Sequence, residues 1–106
     1  MTAETPVNKD SFFLLPRGAQ LMVAYVLTNE LFHFELMKSD GDMVALRGAG
    51  WLNVTPSATH GFVNGEFSDS TWQGFEDMED SILGSVTATE MDRYKARKGK
   101  AYPWLW

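Results

Sequence analysis

The hydrophobic positions of this chain concentrate between Gln20 and Thr55, and three turn signals cut that stretch into strand-length pieces. Gln20–Leu27 is apolar on both faces when read with period 2, as in a strand covered on two sides. Thr28-Asn29 interrupts it. Leu31–Met37 alternates: Phe32, Phe34 and Leu36 fall on one face, His33 and Glu35 on the other. Asp40-Gly41, inside Ser39-Asp-Gly-Asp42, suits a hairpin turn that needs positive φ. Met43–Leu46 is a third short run. Gly48-Ala-Gly50 breaks it, and Trp51–Thr55 is a fourth, stopped by Pro56. The competing pattern is one helix from Ala19 to Lys38. Its polar residues Gln20, Asn29, Glu30, His33, Glu35 and Lys38 scatter around the helical wheel and leave no apolar stripe, so the meander is the expectation.

The flanks read differently. Residues 1–10 are polar and are expected to be a disordered N-terminal arm. Ser11–Leu15 is an apolar run ended by Pro16-Arg17-Gly18, either a first strand or a short docking segment. After Pro56 comes a loop region with one short strand expected at Gly61–Asn64 and a turn dipeptide at Asn64-Gly65. Then the period lengthens. Asp69 and Ser70 are good helix N-cap types, and Trp72, Phe75, Met78, Ile82 and Leu83 recur on one helical stripe that ends at Gly84. Glu79 falls inside that stripe, where a carboxylate must pair, protonate or face a partner. Arg17, Arg47 and Arg93 are its candidate ion-pair partners. Thr87-Ala-Thr-Glu90 fits a capping box and opens a second helix that runs through Tyr94 and fades near Gly99. Pro103 stops any regular helix from entering the last residues.

The pattern predicts a small α+β domain: an antiparallel meander of about four strands, then two short C-terminal helices and an extended aromatic tail. The division is an arm at 1–10, one domain at 11–98 and a tail at 99–106. A small barrel or sandwich with a helical appendage is the alternative. At 106 residues the chain suffices for one core. It has no cysteine, which excludes disulfides, thiolate nucleophiles and cysteine-based metal sites. No signal-peptide pattern and no bilayer-length apolar run occurs, so no membrane partner is expected. The expected location is cytoplasmic, or within a particle assembled inside a cell.

Charge changes the picture. Residues 1–85 hold four basic groups against twelve acidic ones, a balance of −8; residues 86–106 hold five against two, a balance of +3. An acidic body carrying a basic, aromatic tail is a statement about partners. Tyr94, Arg97, Lys98, Tyr102, Trp104 and Trp106 are the candidate partner-binding residues, with Glu79. Tyr102–Trp106 is expected to anchor in an apolar groove of the same chain or of a neighbour, with Gly99 as hinge. The same mixture of rings and cations suits single-stranded nucleic acid, although the acidic body would repel phosphate.

Catalytic signatures do not emerge. Glu30-Leu-Phe-His33 has carboxylate–histidine metal spacing, but that motif needs a helix and further carboxylates on neighbouring helices. Asp40-Gly-Asp42 lacks the alternating ligands of a calcium loop. No nucleophile elbow, phosphate loop or dinucleotide fingerprint occurs, and no cofactor is expected. The functional expectation is a non-enzymatic protein-binding module: an assembly or structural accessory component, or a small inhibitor or adaptor. The alternatives are a nucleic-acid-binding accessory protein using the basic-aromatic segment, and an acidic mimic of a phosphate backbone.

Overall fold

The computed structural model describes residues 5–105, in an α+β fold with a three-stranded antiparallel sheet and six α-helices. In chain order these are α1 (Lys9–Phe13), α2 (Arg17–Thr28), β1 (His33–Met37), α3 (Gly41–Gly48), β2 (Leu52–Pro56), β3 (Phe62–Phe67), α4 (Asp69–Asp77), α5 (Glu79–Gly84) and α6 (Ala88–Lys98), followed by a 3-10 turn at Pro103–Leu105. The strand order is β1-β3-β2, so β1 and β2 run in the same direction with β3 antiparallel between them.

The sheet sorts its side chains by parity. Phe34, Leu36, Leu52, Gly65 and Phe67 are buried beneath the helices, while His33, Asn53, Thr55, Asn64 and Glu66 face outward. This is the two-layer arrangement expected when one sheet face is apolar. Gly65 sits at the centre of the middle strand. A methyl group there would come within 3.1 Å of Leu36 and 3.2 Å of Leu52, so the position keeps room for its neighbours.

The expected strand at Gln20–Leu27 is instead α2, the central element of the fold. Every residue from Ala19 to Leu27 is buried. A helix surrounded on all sides is apolar all round and shows no stripe, which is why period 2 described it as well as period 3.6. The rival helix over Ala19–Lys38 fails too, because the chain turns at Asn29-Glu30. There Glu30 adopts a left-handed φ of 51°, Leu31 N–H reaches Val26 O at 2.9 Å and Glu30 N–H reaches Leu27 O at 3.4 Å. These are the bonds of a Schellman ending, with glutamate where glycine would sit more easily.

The expected Asp40-Gly41 hairpin is likewise overturned. Asp40 is the N-cap of α3, its side chain accepting from Asp42 N–H at 2.9 Å and Met43 N–H at 3.2 Å. Met43–Leu46, expected as a strand, lies inside that helix. An Asp that caps and an Asp that turns occur in the same local sequence; the distal partners of Asp40, described below, go with the helix. Asn64-Gly65 is not a turn but part of β3, and the β2–β3 connection falls one segment earlier, at residues 57–61. The sheet therefore has three strands rather than four, and it is not a meander, because α3 carries the chain from β1 to β2 and β3 inserts between them.

Two helical expectations need refinement. The stripe from Asp69 to Gly84 is broken at Met78, whose φ of −120° and ψ of 24° end α4 and begin α5. Ser68, one residue before the expected caps, accepts from Thr71 N–H. The second helix begins where expected, Thr87 accepting from Glu90 N–H at 3.1 Å. Ser11–Leu15 belongs largely to α1, which buries Phe12 against Phe75. Within the expected arm, Thr5 N–H bonds Ala49 O and Val7 lies against Gly74, where an added methyl would meet it at 2.7 Å. That part of residues 1–10 is packed on the body.

Candidate interaction surface

The C-terminal segment is a latch. Asp40 is its anchor: one carboxylate oxygen caps α3, and the other accepts from Lys98 Nζ at 2.8 Å and from the Tyr102 hydroxyl. Lys98 also reaches Asp42 at 3.0 Å, and the Tyr94 hydroxyl approaches Asp42 at 3.4 Å. Asp42 in turn needs Gly18, since a methyl group there would lie 2.4 Å from its carboxylate. Burial works against ionising Asp40, but hydrogen bonds from Lys98, Tyr102 and Met43 N–H outweigh it and hold the carboxyl below its ordinary range. Burial likewise disfavours the Lys98 charge, and the two aspartates overcome it and raise the ammonium. Desolvation and these carboxylates push the Tyr94 and Tyr102 phenols far up.

The latch also seals a sheet edge. β1 is an outer strand, and its outward backbone groups would be open to pairing with another chain. Met37 N–H donates to the Tyr102 hydroxyl at 3.1 Å, and Glu35 O accepts from Trp104 Nε1 at 2.8 Å. Trp104 stacks on Tyr102 at 5.2 Å and touches Phe34, while its carbonyl accepts from Tyr25. Tyr102 and Leu105 are fully buried. Among the expected partner-binding residues, then, Tyr94, Lys98, Tyr102 and Trp104 are brought together, and they meet on the chain's own body. Arg97 stays exposed beside the Tyr94 ring, and Trp106 lies outside the described residues.

Glu79 is placed elsewhere. The break at Met78 turns it out of the stripe and into solvent. Arg17, expected as one of its partners, instead forks onto Glu90 at 2.5 and 2.7 Å, joining the start of α2 to the start of α6. That bond is the main cause of the lowered Glu90 carboxyl. Glu79 lines a notch of about 230 Å³ together with Leu27, Glu30, Phe32, Trp72 and Glu76. Phe32 is 56% exposed and lies 4.8 Å from the Trp72 ring. It shares parity with Phe34 and Leu36 but precedes β1, so the alternation that should bury it has not begun. Two aromatic rings ringed by three carboxylates form a surface suited to a cation carried on an apolar stem.

Among the described residues no group of His, Cys, Asp or Glu could hold a metal ion, and no helix is long and apolar enough to cross a membrane. Comparisons with protein-family models, with curated proteins and with solved structures find no match.

Proposed function

We propose that this chain is a non-enzymatic protein-binding module, an assembly or structural accessory component or a small inhibitor or adaptor, whose partner presents a basic segment to the Phe32–Trp72 notch. Phe32 carries this reading. A large ring left more than half in water, tilted against a second ring, is what interface anchors look like before the partner arrives. Glu30, Glu76 and Glu79 add a field complementary to Lys or Arg, which steers encounter and selects the partner's sign. Burial of Tyr94 and Tyr102, two of the rings a nucleic acid would stack on, favours the protein-binding reading over the nucleic-acid alternative. The exposed carboxylates Glu76, Asp77, Glu79 and Asp80 favour a variant of the main reading, in which the partner is itself a phosphate-binding protein. Action in the cytoplasm, or in a particle assembled there, accords with either.

The test is titration calorimetry with short arginine-rich, neutral and glutamate-rich peptides, paired with a photo-crosslinking residue at Phe32 in cells. Only the basic peptide should bind. The crosslink should map to a basic segment of a protein, and the double variant Glu76→Lys/Glu79→Lys should abolish both signals. Equal binding of all three peptides would overturn the proposal.

A further inference from the structure

We propose a second site that does not depend on the notch: a cationic pocket at the β2–β3 connection that takes a small organic anion, an oxyanion on a compact apolar body. The cavity measures about 590 Å³, within the range of small-molecule sites. Lys38, at the end of β1, and Arg47, near the end of α3, line it with His60. Neither Lys38 nor Arg47 has an ion-pair partner among the described residues. This is notable in so acidic a body. Of the four basic groups in residues 1–85, these two converge on one concavity, while Arg17 is already committed to Glu90.

Val54, Pro56, Phe62 and Val63 add apolar surface to the lining. The wall is preformed. Lys38 N–H bonds Gly61 O at 3.0 Å, Phe62 N–H bonds Thr59 O at 3.1 Å and Thr59 N–H bonds Ser57 Oγ at 3.0 Å. Ser57 in turn donates to Glu35, and the Asn64 amide donates to Pro56 O. Gly61, at a φ of 81°, permits the turn. A loop held this firmly loses little entropy when a ligand enters. Arginine offers a planar fork for a carboxylate or phosphate and lysine a point charge, while the apolar lining residues would cover a small ring.

The experiment is a titration of the ¹⁵N-labelled full chain, followed by amide shifts. The probes are benzoate, phenyl phosphate, inorganic phosphate and benzylamine. Benzoate or phenyl phosphate should give saturable shifts confined to residues 54–63 and the end of α3, and the stronger of the two names the oxyanion. Benzylamine should give none. Arg47→Ala and Lys38→Ala alter exposed side chains, so the fold should persist, and each should weaken binding by about tenfold. Four results overturn the site: no saturation at millimolar ligand, shifts centred on the basic face of α6, equal binding of inorganic phosphate and phenyl phosphate, or affinity unchanged in both variants.

Discussion

The latch and the notch are built from the same materials, aromatic rings and charged groups, and they end in opposite conditions. At the latch every group has an answer: Asp40 has Lys98 and Tyr102, the β1 edge has Tyr102 and Trp104, and Asp42 has the space left by Gly18. At the notch Phe32 stands in water, and the three surrounding carboxylates line an open depression. Satisfied groups hold a fold together, whereas on the proposed function an exposed ring among like charges is left for a partner. A residue's type does not say which role it has; its neighbours do.

The largest effect should come from removing the latch. Deletion of Tyr102–Trp106 strips out Tyr102 and Leu105, each worth about 1.5–3 kcal/mol when fully buried, and bares the β1 edge. Thermal denaturation should show a collapse of stability, and light scattering should show aggregation. A truncated chain that melts like the intact one would mean the latch holds nothing.

Next comes the ion cluster inside it. Lys98→Met leaves two carboxylates without their cation and should cost about 1.5–3 kcal/mol in urea unfolding. The pH dependence has a definite sign. Asp40 is depressed in the folded chain, so its contribution is complete above the ordinary carboxylate range and is lost as the pH falls through its folded value. Asp40→Asn should flatten that acid limb. Tyr94, Tyr102 and Lys98 are all raised. Above about pH 10 the unfolded chain gives up protons that the folded chain keeps, so stability falls with rising pH, and Tyr102→Phe should soften the fall.

Glu30→Gly sharpens the contrast. It relieves a left-handed residue and should raise stability by about 1 kcal/mol, or several degrees in melting temperature. On the proposed function it should weaken binding of a basic peptide. Stability gained with binding intact would separate Glu30 from the notch. The smallest effect on folding belongs to Glu79→Gln, within about 0.5 kcal/mol of the parent because the side chain is exposed, yet with weaker peptide binding.

How legible the molecule was depends on how far each signal had to reach. The Thr87 cap, the strand at Trp51–Thr55 and the helical stripe after Asp69 depend on neighbours within a few residues, and all three are present with small shifts. The alternation in Leu31–Met37 correctly set Phe34 and Leu36 inward, but could not say where the strand begins, and so misplaced Phe32. Glu79 was misplaced for a similar reason: the non-helical Met78 interrupts the helix just before it, while Ile82 and Leu83 beyond still pack inward. The tail's choice between its own body and a neighbour was open, and the described part docks internally.

The sequence alone determined the class, a mixed fold with apolar segments, a helical C-terminal half and no cysteine chemistry, because these follow from composition and local periodicity. It also determined the split of charge between body and tail. Only the tertiary structure decided that Gln20–Leu27 is a helix, since full burial erases the pattern that distinguishes helix from strand. It alone decided that Asp40 caps α3 rather than turning a hairpin, because Lys98 and Tyr102 lie 58 and 62 residues away along the chain. And it alone placed Phe32 beside Trp72, because exposure belongs to the packed whole and no local signal carries it.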